Sequence, residues 1–247
     1  MSQYGADHIY SRIANAAAKG SRLNLGLATG NTMLEIYRIL AEKLRGSRVR
    51  LDKLTTFNLD EYTGEDNRLI PESHPLSYKK YMRENFFNLL SPELGFDEKR
   101  ARFPDPVDPA RFDREIEDAG GIDFQLLGIG FNGHIAFNEP ESPDKISMAE
   151  FADLPSRVIN LKPLTVSTNA KLTADGKLGA VPHRAATMGM RQILAAREIL
   201  LLACFHEQSE PLQKMRQGVR STTLPASFLL DHHNTTITYT SDVIKLD

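Results

Sequence analysis

Cysteine is nearly missing from this chain. Its 247 residues include one, Cys204, so no intrachain disulfide can form and a reducing compartment suits the chain. A dominant charge is missing as well. Thirty Lys and Arg against 32 Asp and Glu leave a formal net charge of −2, which offers neither nucleic acid nor an anionic membrane an electrostatic reason to bind. No apolar run approaches the roughly 20 residues of a membrane span, and the opening MSQYGADHIYSR lacks the pattern of a signal peptide. Repeats, low-complexity blocks and linker-like stretches are absent. The expectation is a cytoplasmic protein folded as a single domain over residues 1–247.

Several familiar motifs are absent too. ATGNT, residues 28–32, has no closing Gly-Lys-Ser/Thr and is not a P-loop. In GIGFNGHIAFNEP, residues 128–140, Gly128, Gly130 and Gly133 have the G-x-G-x-x-G spacing, but no basic or hydroxyl-rich helix start follows and the segment lies in mid-chain, so a dinucleotide turn is not expected. No G-x-S-x-G elbow supplies a serine nucleophile, and Cys204 lies in an apolar run read as strand interior. His134 and Glu139 lack metal-ligand spacing, and no second His or Cys lies nearby. No cofactor or metal is called for.

What is present is an alternation of helix and strand. Apolar periodicity predicts helices over 6–18, 31–45, 77–90, 110–120, 191–196 and 208–217. It predicts strands over 22–28, 54–59, 123–130, 186–190, 198–204 and 237–240. The polar segments 62–75 and 139–156 read as long loops, of the kind that serve as lids or binding loops. Continuous apolar strands between helices predict an α/β, doubly wound, largely parallel sheet with helices on both faces, a Rossmann-like single domain.

Such sheets bind ligands beyond the carboxyl ends of their strands, and the residues there are chemically capable. Thr29-Gly30-Asn31-Thr32 follow the first strand at a helix start, where backbone N–H groups and the helix dipole favour an anion such as phosphate. An ordinary turn capped by Thr29 or Asn31 reads the same residues equally well. Asp60 and Glu61 close the second strand, and a half-desolvated carboxylate there is suited to be a general base. Side-chain alternation sends the two in different directions, so only one is expected to face a site. After 123–130 come Asn132, His134 and Glu139. Histidine both takes and gives protons near neutral pH, and Glu139 is placed to orient it and stabilise its charged form. The inventory is one of acid–base chemistry on a small phosphorylated molecule.

LGLATGNT, TTFNLDEYTG, HPLSYKKYMRENFF and above all LLGIGFNGHIAFNEP resemble the glucosamine-6-phosphate isomerase/deaminase family, and VPHRAATMGM and LPASFLLDH match two further blocks of it. The resemblance runs from about residue 7 to the C-terminus. It implies a cofactor-free α/β enzyme that converts glucosamine 6-phosphate and water to fructose 6-phosphate and ammonia. By the same resemblance Asp60 is the enolisation base and His134 opens the pyranose ring. Glu139 is the carboxylate partner of His134, and Asn132 stands where members carry Asp or Asn. Thr29, Gly30, Asn31 and Thr32 form the phosphate turn, and residues 74–87 cover the site as a lid. The implied partner is a small amino-sugar phosphate. Relatives include monomers and hexamers, so a homo-oligomer is the one macromolecular partnership left open.

The departures from the family pattern concentrate on the phosphate. A family arginine appears as Lys171, the phosphate lysine is Gln208, and Arg191 stands where a small glycine is usual. The expectation is that Arg191, with Lys171 and His206, takes over phosphate binding, with glucosamine or galactosamine 6-phosphate as substrate. The competing expectation is that the remote end of the substrate differs. The resemblance also admits 6-phosphogluconolactonase and a sugar-phosphate-sensing regulator. The NLDEY and FNEP segments argue against the lactonase, and the lack of a helix-turn-helix argues against the regulator.

Overall fold

A computed structural model of the protein describes residues 1–246. Its strands are β1 (Leu23–Leu27), β2 (Leu54–Asn58), β3 (Asp60–Thr63), β4 (Ala101–Arg102), β5 (Phe124–Leu127), β6 (Arg157–Asn160), β7 (Arg184–Thr187), β8 (Ile199–Ala203) and β9 (Thr235–Tyr239). Its helices are α1 (Ser2–Ala18), α2 (Leu34–Arg45), α3 (Tyr78–Asn85), α4 (Pro109–Asp118), α5 (Met148–Ala152), α6 (Pro163–Thr173), α7 (Met190–Leu194) and α8 (Ser209–Arg216). None is long and apolar enough to cross a membrane among the described residues.

Six strands form a sheet in the order β4-β2-β1-β5-β8-β9, and every neighbouring pair is parallel. FQLL of β5 and ILLLA of β8 are buried along their whole length, as inner strands with both faces covered must be. Helix α2 lays Ile36, Tyr37, Leu40, Ala41 and Leu44 into the core. There the Tyr37 hydroxyl donates to the Ala28 carbonyl at 2.5 Å and ties the helix to the end of β1. The chain builds β1, β2 and β4 toward one edge, then returns to place β5, β8 and β9 toward the other. Strand order therefore reverses between β1 and β5, and a crevice opens beyond their carboxyl ends.

The parallel sheet is not the whole of the architecture. One residue after β2, at Asp60, the chain enters β3 of a second, antiparallel sheet ordered β3-β7-β6. This corrects the reading of 186–190 as another parallel strand: the strand is 184–187 and pairs Asp60 with Thr187 and Glu61 with Ala186. β3 carries no strand signal of its own, because a strand opening on two carboxylates is tolerated only where partners satisfy them. The segment 139–156 is not all loop either. It holds α5, whose capping box pairs Ser147 with Glu150. Helix α6 and strand β6 were not anticipated, and the predicted helix 77–90 divides at Phe86 into α3 and a 3₁₀ turn over Phe87–Leu89. Cys204 is not strand interior: β8 ends at Ala203, and Cys204 is half-buried with its Sγ 3.6 Å from Thr32 Oγ1.

Buried Asp113 of α4 holds the two sheets together at one corner. It accepts hydrogen bonds from the Ser156 amide at 3.1 Å, the Ser156 hydroxyl at 2.5 Å and Arg191 at 3.2 Å. Asp113→Ala leaves these donors unmatched. Arg191 is partly exposed and regains water, so the expected cost is about 2 kcal/mol, read as a lower urea midpoint with an unchanged slope.

Candidate active site

The crevice between β1 and β5 is a cavity of about 230 Å³. Thr29, Gly30, Asn31 and Thr32 form its β1 side. The turn is tied down twice: Tyr81 Oη donates to the Gly30 carbonyl at 2.8 Å, and Asn31 Nδ2 donates to the Leu172 carbonyl of α6 at 3.3 Å.

Of the two carboxylates that follow β2, Asp60 lines the cavity and Glu61 is turned away into the protein. Asp60 is buried and accepts from Thr187 Oγ1 at 2.5 Å. The Phe137 amide donates to that same oxygen at 3.0 Å, so the Thr187 proton is directed at Asp60. Burial raises the Asp60 carboxyl to about 7, against the lowering pull of Thr187 and of nearby His134. Glu61 accepts from the amides of Tyr62, Tyr78 and Lys79 and from the Ser77 hydroxyl, all at 2.8–3.0 Å. It serves as the N-terminal anchor of α3, satisfying helix donors that would otherwise be orphaned.

His134, Asn132 and Glu139 form a relay whose proton positions follow from chemistry. A carboxylate can only accept, so the group of Asn132 lying 2.8 Å from Glu139 Oε2 is the amide nitrogen Nδ2. Its oxygen Oδ1 therefore faces His134, accepting from the backbone N–H at 3.1 Å and lying 2.8 Å from ring Nδ1. An amide oxygen can only accept, so Nδ1 carries the proton and Nε2 of the neutral ring is a free base. Glu139 does not bond the ring directly, as the sequence reading had it; it stands 3.7 Å away, with the amide between them. Burial pushes the Glu139 carboxyl up, but neighbouring His134 and Asn132 outweigh this and hold it at about 2.

The glycines of this loop are there for space. A side chain at Gly130 would place Cβ within 2.2 Å of the imidazole, and Gly133 has φ +84° with Leu224 2.3 Å from where its Cβ would be. The ring lies flat against bare backbone. Asn138 of FNEP is structural: it donates to the carbonyls of Ile135 and Met188 and accepts from Arg157.

Three residues expected at the phosphate are not brought to the cavity. Arg191 pairs with Asp113 and lies 3.9 Å from Asp153, because the turn it starts belongs to the second sheet and does not open at the end of the main one. Lys171 is exposed on α6 and is not among the residues that line the cavity, although Leu164, Thr165, Thr168, Asn169, Leu172 and Thr173 of the same helix are. His206 is exposed on a 3₁₀ turn. Gln208 does line the cavity, where Oε1 accepts from the Cys204 and Phe205 amides and Nε2 donates to the Ile129 carbonyl. Among the described residues no cluster of His, Cys, Asp and Glu could hold a metal ion.

A family model described as glucosamine-6-phosphate isomerases/6-phosphogluconolactonase matches residues 1–238. The chain belongs to that family. It is 40% identical over 218 residues to a glucosamine-6-phosphate deaminase of Rhodopirellula baltica, covering 86% of this chain and 79% of that one. It is 38% identical to one of a Geobacillus species over 248 residues, covering 100% and 91%. A solved structure described as a monomeric glucosamine-6-phosphate deaminase superposes with a TM-score of 0.82 at 31% identity, covering 96% of this chain and 92% of that one. A 6-phosphogluconolactonase from Thermotoga maritima superposes at 0.68 with 19% identity, a likeness of fold.

The sequence reading missed Thr187, the α6 wall and the aromatic floor of Tyr62, Tyr78 and Phe137, whose ring centroids lie 5.0–6.0 Å apart. Tyr78 was inside the quoted block HPLSYKKYMRENFF, but nothing in its spacing marks it as a cavity residue. The anchoring of α3 is testable. Glu61→Ala frees the amides of Tyr78 and Lys79, and loss of such a cap costs about 1 kcal/mol. Hydrogen exchange over 77–85 is expected to accelerate several-fold while exchange in β5 and β8 stays unchanged.

Proposed function

We propose that this protein isomerises and deaminates an amino-sugar phosphate, converting glucosamine 6-phosphate and water to fructose 6-phosphate and ammonia. The observation that carries the reading is one cavity holding two separate acid–base groups. These are Asp60, raised to about 7, and His134, presented with Nε2 unprotonated by the Asn132–Glu139 relay. Family membership and the deaminase relatives support it. Residues 1–247 are read as one such domain, of which residue 247 lies outside the described residues. Its unity is supported by the single residue, Leu59, between β2 of one sheet and β3 of the other.

Each group has its own task. His134 Nε2 takes the proton of the anomeric hydroxyl and delivers it to the ring oxygen, which opens the pyranose. The imidazolium formed on the way is stabilised by Glu139, 3.7 Å away and ionised well below neutral pH. Asp60 then removes the proton from C2 of the open chain, giving an enolamine, and returns it to C1. Water adds to the resulting ketimine at C2, and ammonia leaves. A base with a pKa near the working pH balances basicity against ionisation, and here burial sets that balance.

A lactonase needs no enolising base, so Asp60 and Thr187 favour the deaminase. Ammonia is expected from glucosamine 6-phosphate with kcat/KM falling as pH drops through about 7, since only ionised Asp60 accepts the C2 proton. Absence of ammonia from both glucosamine and galactosamine 6-phosphate would sink this reading. Thr187→Val removes a donor to the charged form of Asp60. The acid limb of the profile is then expected to move up by about one pH unit, with most of kcat/KM regained at higher pH.

A further inference from the structure

The cavity contains no lysine or arginine among its described lining residues; its one basic side chain is His134, committed to the relay. Of the cations expected at the phosphate, Arg191 is bound to Asp113, and Lys171 and His206 are exposed and are not among the lining residues. Gln208, the polar side chain following β8, already makes three hydrogen bonds to backbone, which leaves it at most one N–H and no charge.

A phosphate dianion placed here would meet no formal positive charge. The Thr29–Thr32 turn and the start of α2 offer a partial charge of about half an electron, against two on the ligand. The rest of the wall is neutral, with Thr165, Thr168, Asn169 and the hydroxyls of Tyr78 and Tyr81. Hydroxyls both donate and accept, which matches a sugar hydroxyl, whereas a dianion can use only their donor half. The dianion would also share about 230 Å³ with the carboxylate of Asp60.

We propose that this protein deaminates the unphosphorylated 2-amino-2-deoxyhexose as well as its 6-phosphate, because the cavity recognises the far end of the sugar through neutral groups. This rests on the deaminase reading above. A single lysine-to-phosphate contact is worth about ten- to a hundredfold in binding, and that is the discrimination the cavity lacks.

The test compares kcat/KM for ammonia release from glucosamine 6-phosphate and from glucosamine. A ratio below about a hundredfold supports the proposal. A larger ratio, or ammonia from the phosphate alone, overturns it and leaves the deaminase reading standing. Leu172→Arg puts a cation on the cavity wall without touching the bonds of Gln208 and is expected to raise the ratio about tenfold, mainly through KM for the phosphate. If neither sugar yields ammonia the deaminase reading fails, and calorimetric titration decides the recognition claim on its own. Affinities for glucosamine and glucosamine 6-phosphate within about a hundredfold uphold it, and a wider gap overturns it.

Discussion

The reversal of strand order between β1 and β5 is the constraint on which everything else here depends. Neighbouring parallel strands whose chains continue in opposite directions leave a crevice at their carboxyl ends that no crossover fills. Into it β1 delivers the Thr29–Thr32 turn and β5 delivers Asn132 and His134. The adjacent β2 ends at Asn58, with only Leu59 between it and Asp60. Three short strand ends thus place their reactive residues without any long loop having to find its position.

The second sheet completes the site. Because β3 departs directly from β2, Asp60 is held by a ladder on β7 and is met there by Thr187. The same ladder buries the carboxylate, and burial is what makes it a base of useful strength. Helix α3, capped by Glu61, and helix α6 wall off the remaining sides. Protonation, orientation and enclosure therefore come from one arrangement of backbone.

Hydrogen-bond accounting separates the functional polar residues from the structural ones. Glu61, Asn138 and Asp113 are as buried as Asp60, yet each is spent on backbone or on neighbouring side chains. Arg191 looked available in the sequence because its partner, Asp113, lies 78 residues away. Gln208 is closed to strong anion binding for a similar reason, its amide being spent on the turn after β8. A residue type at a strand end indicates capacity for chemistry; its bonds decide whether that capacity is free.

Much of this protein is determined by the chain alone. The apolar runs of β1, β5 and β8, the periodicity of α2 and the crowding of Asn132, His134 and Glu139 after a strand specify a parallel α/β sheet with an acid–base site at one end. These are local signals, written in residues a few positions apart. Strand β3 and helix α6 were not legible, because their polar or mixed sequences become tolerable only beside partners more than 100 residues away, as Asp60 beside Thr187 and Asn169 beside Tyr62 show, and β6 is completed only by its ladder on β7. The order His134, Asn132, Glu139 within the relay was hidden although its members are two and seven residues apart, because the path of the loop sets it, and the pairing of Arg191 with Asp113 was hidden by 78 residues. Which groups face one another is settled by packing, and proton positions and charge balance follow from who faces whom.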